Sequence, residues 1–169
     1  MRNLIIVMAS GLLALSACTN THKNTSADTS ANTPDIPAAT ETLQTVMSVP
    51  PSVKAGEPVM LTFTVYNRSA KALEFCKWHT PFEGFIAAFL DVRNSNGEEV
   101  LYRGAMAKRV MPPPAEAYIQ VPAGDSATVD IDLLKGYDLS APGKYHAVYQ
   151  AGGMSGLEQV NELDITVVP

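Results

Sequence analysis

The sequence predicts an all-β sandwich for residues 42–169, and three observations carry that expectation. Apolar and polar residues alternate in several short stretches, the pattern of strands buried on one face. Gly, Pro, Asn and Asp recur between those stretches too often for long helices. No window combines a sustained helical period with capping residues.

Taken in order, Leu61, Phe63 and Val65 alternate with Thr62, Thr64 and Tyr66 and form the clearest strand. Residues 72–77 and 85–93 read as two more. Asn94-Ser95-Asn96-Gly97 is a hairpin turn, because Asn and Gly accept the positive φ that tight turns demand. It returns the chain through Glu98 to Tyr102, and residues 117–121 form the next strand. Val129, Ile131 and Leu133 alternate with Asp130 and Asp132. Residues 144–150 follow, and Leu163, Ile165 and Val167 alternate with Asp164 and Thr166. About eight or nine short strands at this spacing make an immunoglobulin-like antiparallel β-sandwich. Gly143-Lys144-Tyr145 resembles the start of the strand that carries a tyrosine corner. Ala147 stands two residues later, where an inter-sheet disulfide would need Cys.

Two segments precede the sandwich. Residues 1–17 have the form of an export signal, with Arg2 at the start and an apolar stretch from Leu4 to Leu15. That stretch is too short to span a bilayer, which needs about 20 apolar residues. Leu15-Ser16-Ala17-Cys18 resembles the lipobox of bacterial lipoprotein signals, which implies cleavage before Cys18 and a diacylglycerol on its thiol. Thr19 is not the Asp that resembles an inner-membrane retention signal. The expected location is therefore the bacterial cell envelope, lipid-anchored in the outer membrane on its periplasmic face or surface. Residues 18–41 comprise the lipidated Cys and a disordered Ser/Thr/Asn/Ala-rich tether, in which almost nothing can be buried to offset the entropy of ordering. A flexible chain of about 22 residues spans roughly 25 Å, enough to lift a domain off a lipid surface.

Charge and cysteine use narrow the partners. The chain carries 12 basic and 17 acidic residues, and the basic ones are scattered, which argues against nucleic acid. With lipid on Cys18, Cys76 is left without a disulfide partner and reads as a small buried apolar residue. Cys76 and His79 could hold copper or zinc, with Met106 or Met111 completing the site. Strand geometry, however, sends residues i and i+3 to opposite faces, so a break at Trp78 would be needed. The sequence predicts neither a metal site nor a cofactor.

With the strands placed, a set of ordered motifs stands out. Lys77-Trp78-His79-Thr80-Pro81-Phe82-Glu83-Gly84 precedes Tyr102-Arg103-Gly104, then Lys108-Arg109 with Pro112. Tyr118 before Ala123-Gly124, Tyr137-Asp138-Leu139-Ser140 and Gly143-Lys144-Tyr145 complete the series. In this order they resemble the immunoglobulin-like N-terminal domain that precedes the catalytic domain in bacterial deuterolysin-type (M35) zinc endopeptidases, over residues 42–168. The resemblance implies a zinc metalloendopeptidase as partner, since leading domains of this kind often act as inhibitory or folding-assisting pro-domains. It does not imply catalysis here. The His-Glu-x-x-His helix of those enzymes has no counterpart, because His22, His79 and His146 lie far apart. No Gly-x-Ser-x-Gly elbow is present either.

The candidate binding residues lie between Arg103 and Ala115. This segment is too long for a hairpin loop, carries Lys108 and Arg109, and continues into Met111-Pro112-Pro113-Pro114. Proline fixes φ and removes a donor, so the stretch is expected to be extended and stiff. On the plainer reading it crosses between the sheets, with Lys108 and Arg109 solvated or paired to acidic neighbours. On the functional reading it loses little entropy when it docks in a groove. Lys108 or Arg109 would then fill a specificity pocket beside Met111, Pro112 and Pro113. Trp78, clustered with Phe82 and Phe85, is either core packing or an exposed anchor of that surface. Thr80-Pro81 and Glu83-Gly84 shape a turn in which Glu83 satisfies nearby backbone N–H groups. The expected function is a non-catalytic, lipid-anchored envelope binding module that inhibits or assists the folding of a zinc endopeptidase. The alternative is a structural or adhesion-type envelope lipoprotein that binds another envelope protein, and a copper- or zinc-binding periplasmic protein comes third.

Overall fold

The computed structural model describes residues 41–150 and 153–169. The export signal of residues 1–17, the tether up to residue 40 and Cys18 lie outside the described residues. Ten strands follow in chain order: β1 (Gln44–Ser48), β2 (Val53–Lys54), β3 (Met60–Tyr66), β4 (Leu73–Cys76), β5 (Leu90–Asn94), β6 (Tyr118–Val121), β7 (Ser126–Asp132), β8 (Gly143–Tyr149), β9 (Gln159–Val160) and β10 (Leu163–Val168). Short 3-10 turns at Pro81–Glu83, Ala115–Ala117 and Leu133–Lys135 are the only helical segments among the described residues.

Period-two alternation builds the layers. Leu61, Phe63 and Val65 are inaccessible to solvent, so β3 buries one face along its whole length. It sits inside the first sheet, ordered β7-β3-β1-β9, with Phe63 opposite Met47 on one side and Val129 on the other. In the second sheet, β2-β10-β8-β5, β8 pairs antiparallel with β5 and β10. The short edge strands β9 and β2 pair in parallel with β1 and β10. Pro50 and Pro51 separate β1 from β2, and the chain changes sheets there because neither residue can donate to a ladder. A two-stranded ribbon, β4 with β6, is built from the segments that flank the second sheet's β5 in sequence.

The two sheets share one core. Phe63 of β3 meets Tyr149 of β8 with ring centroids 5.7 Å apart. Tyr137 is fully buried and ties itself to β5, donating to the Leu90 carbonyl at 3.1 Å and accepting its N–H at 3.0 Å. Burial pushes its phenol pKa up to about 12. The Tyr145 hydroxyl donates to the Ala141 carbonyl at 2.8 Å, the tyrosine corner expected from Gly143-Lys144-Tyr145.

Three expected segments are shorter than the residue pattern suggests. The strand expected over 85–93 begins only at Leu90, because Phe85 turns inward and stacks on Phe89 at 5.6 Å. The return through Glu98 to Tyr102 forms only isolated contacts. These are a bridge between Arg93 and Glu99, a Val100 N–H bond to the Val92 carbonyl, and a bridge from Tyr102 to Tyr137. Leu133, expected to close a strand, instead opens a 3-10 turn capped by the Asp132 carboxylate.

Candidate functional site

The turn expected at Thr80-Pro81 and Glu83-Gly84 forms as a single 3-10 turn. Thr80 Oγ1 accepts the Phe82 N–H, and Pro81 occupies the first turn, where its missing donor costs nothing. His79 enters this turn at φ 58°, an uncommon conformation for a side chain other than Gly or Asn. The Glu83 carboxylate holds it there, accepting the His79 N–H on Oε1 at 2.8 Å. The His79 carbonyl in turn accepts a hydrogen bond from the Tyr149 hydroxyl at 3.0 Å, and Ser155 Oγ lies 2.9 Å from that hydroxyl. Burial raises the Tyr149 pKa, so its proton stays in place as a donor.

This turn is the seat of the long segment. Arg109 reaches down and donates from Nη2 to Glu83 Oε2 at 2.5 Å. Its guanidinium lies 4.8 Å from the centroid of the Trp78 ring. The side chains of Glu83 and Arg109 are 3% and 17% exposed, so the pair is largely desolvated and its cation–π contact is stronger than at a surface. Arg109 Nε is buried without an acceptor among the described residues. Upstream, the Ala105 and Ala107 N–H groups donate to the Phe85 and Ile86 carbonyls at 2.9 Å each. At the foot, Arg103 pairs with Asp138 at 2.8 Å, and its N–H bonds to the Gly136 carbonyl. Asp138 is held below the usual carboxylate range, chiefly by the Ser140 hydroxyl. At the far end, Ala117 is buried against Cys76 and Trp78.

Between these anchors the segment faces water. Met106, Val110 and Met111 are 74%, 82% and 60% exposed, and Lys108 is exposed beside them. Among the described residues, the N–H groups of Met106 and of Lys108 to Met111 find no acceptor. The backbone bends at Met111 and Pro112, so the stretch is not one continuous rod. Pro113 is half-buried and walls an open groove of about 590 Å³ with Glu74, Ala115, Tyr118 and Gln120.

The sequence-predicted residues therefore divide. Lys108, Met111 and Pro112 stand in solvent, and Pro113 lines the groove. Arg109 is paired to an acidic neighbour instead of projecting outward. Trp78, expected as core or as exposed anchor, is 7% exposed with Arg109 over its ring, so it supports the surface without forming it. Val110, the most exposed apolar residue here, carries no sequence signal beyond lying in a long loop, and Met106, nearly as solvated, is marked in the sequence only as a possible metal ligand. Cys76 is a free, buried thiol, and no group of three His, Cys, Asp or Glu side chains among the described residues is placed to hold a metal.

A family model described as an immunoglobulin-like domain matches residues 46–160. Over 93 residues the chain is 33% identical to an extracellular protease of Aeromonas hydrophila. The match takes in 55% of this chain and 26% of that protein, so the chain spans about a quarter of its relative. Among solved structures, the CARDB domain of a Pyrococcus furiosus protein, in complex with di-metal ions, aligns with 75% of this chain and 87% of that one, at 12% identity and a TM-score of 0.36.

Proposed function

The chain belongs to the immunoglobulin-like domain family, and from that premise we propose that it is a non-catalytic binding module of the bacterial cell envelope. It is anchored by lipid on Cys18 and acts on a secreted zinc endopeptidase. One observation carries the docking role. Residues 105–111 present Met106, Lys108, Val110 and Met111 to solvent from a root fixed by Arg109, Glu83 and Trp78. A surface already held in place loses little entropy on binding, and its unpaired main-chain groups are free to pair with a strand of the partner. The local identity to part of an extracellular protease supports a peptidase as the partner.

The test is inhibition and direct binding. The full-length chain is titrated against the Aeromonas hydrophila extracellular protease and against a deuterolysin-type zinc peptidase, beside a Lys108→Ala, Val110→Ser variant. Binding by the wild type that the variant loses supports the loop. Absence of binding by the wild type at tens of micromolar favours the structural or adhesion reading instead.

A further inference from the structure

We propose that the Lys108–Arg109 peptide bond is a built-in processing site for a trypsin-class serine peptidase, one that nicks the exposed loop and leaves the sandwich folded. Such enzymes take a Lys or Arg side chain into an acidic pocket and bind the flanking chain extended. A native bond is cut only if that side chain is free to leave the surface and the scissile peptide, with the N–H two residues before it, is not already paired. Exposed loop tips are the usual places where both hold.

Both conditions meet at Lys108. Its side chain is exposed, and the N–H groups of Met106 and of Lys108 to Met111 have no acceptor among the described residues. The other lysines and arginines among the described residues fail one condition or the other. Lys54, Arg93 and Lys144 lie within paired strands. Lys71 and Lys77 have their carbonyls taken by side chains of Asn67, Ser69 and Thr80. Arg68 precedes an N–H held by Asn67, Arg103 is bonded to Gly136 and Asp138, and Lys135 lies in a 3-10 turn. Arg109 shares the open backbone, but its guanidinium is locked between Glu83 and Trp78 and cannot enter a pocket. A dibasic pair thus offers one readable residue, because its neighbour is turned inward.

The cut is a hydrolysis. The peptidase's serine Oγ adds to the Lys108 carbonyl carbon, the C–N bond to Arg109 breaks as the protonated amine leaves, and water then hydrolyses the acyl-enzyme, giving a Lys108 carboxylate and an Arg109 α-ammonium. Both new ends stay seated. Ala105 and Ala107 remain bonded to Phe85 and Ile86, and Arg109 remains on Glu83 and Trp78. What is lost is the covalent continuity between Met106-Lys108 and Val110-Met111. On the peptidase-docking reading, from which this consequence follows, the nick releases the partner.

The experiment treats the full-length native chain with a trace of trypsin and identifies the cuts within residues 41–169 by intact mass and N-terminal sequencing. The expected first cut gives a fragment beginning Arg109-Val110-Met111, and the two pieces co-elute under native conditions. Lys108→Gln is expected to abolish that cut and to slow cutting of the loop about tenfold or more, because Arg109 is cut only from a transiently opened state. Arg109→Gln, which unpins the loop, is expected to be cut after Lys108 at least as fast as wild type. A first cut elsewhere in 41–169, or equally fast cutting of Lys108→Gln after Arg109, overturns the site. Nicked and intact protein are then compared for binding to the Aeromonas hydrophila protease. Equal binding by both overturns the release, whereas a confirmed nick with no binding by the intact chain overturns the docking reading and leaves the site standing.

Discussion

Arg109 lies against the Trp78 ring and donates to Glu83 across 26 residues of chain, and this contact fixes where the loop sits. Glu83 answers with both oxygens, one for Arg109 and one for the strained His79 turn. Removing the guanidinium leaves a buried carboxylate with half its partners. Arg109→Ala is therefore expected to cost about 2–3 kcal/mol, below a fully buried pair because the arginine keeps some exposure to water. Arg109→Lys recovers little of this, since an ammonium neither stacks nor forks. Urea denaturation of the three proteins measures both statements.

The tyrosine corner gives a smaller and cleaner number. Tyr145→Phe keeps the ring and removes only the bond to the Ala141 carbonyl. A loss of about 1 kcal/mol in chemical denaturation is expected, with the slope against denaturant unchanged.

His146 makes stability depend on pH. Its Nδ1 lies 3.0 Å from Asp164 and its Nε2 3.1 Å from Glu162, across the β8–β10 ladder. The hydrogen bond to Asp164 is the largest influence and raises the imidazole pKa above its usual 6.5; partial burial opposes it, and the carboxylate charges add to it. A pKa higher in the folded than in the unfolded protein means the imidazolium stabilises fully below about 6.5. That contribution fades as pH rises through the folded value. His146→Gln is expected to be less stable than wild type at about pH 5.5 and to converge with it by about pH 9, the gap being small for so exposed a group. Thermal melts of both proteins across that range check the trend, and an imidazole titration by NMR checks the direction of the shift.

Strands with a one-sided pattern were legible in the residues, and strands without one were not. In β3, Leu61, Phe63 and Val65 all point inward, so alternation and burial agree. β1 inverts the signal: Thr45 is buried and Val46 is 41% exposed, so no apolar alternation marks it. The two-residue strands β2 and β9 are too short for any period and exist through pairing alone. At the candidate site, the turn, the role of Glu83 toward backbone and the acidic pairing of a loop cation followed from residue types. Which of Lys108 and Arg109 turns inward did not. That choice depends on Trp78 and Glu83 lying under one position and not its neighbour, a tertiary fact that two adjacent basic residues cannot encode.

The proposed lipid anchor on Cys18 is expected to be all or none in its effect on location. Several acyl chains hold a protein on a membrane far more firmly than one. Cys18→Ser is therefore expected to move the chain from the membrane to the soluble fraction on cell fractionation. Retention of that variant at the wild-type level would show that something other than Cys18 holds it.

Gly136 offers a way to loosen the loop without touching it. A Cβ at this position would collide with the Phe85 ring, which stacks on Phe89 and meets Tyr137 edge-on. Phe85 cannot yield freely, because its carbonyl and that of Ile86 hold the Ala105 and Ala107 N–H groups. Gly136→Ala is expected to cost about 1–3 kcal/mol as an overpacked core and to shift Phe85 away from its present place. The shift travels along the main chain to the two loop bonds. Hydrogen exchange at Ala105 and Ala107 should then quicken more than exchange within β3, which lies inside the β7-β3-β1-β9 sheet. Equal acceleration at all these amides would mean that the substitution destabilises the whole domain and that Phe85 does not couple Gly136 to the loop.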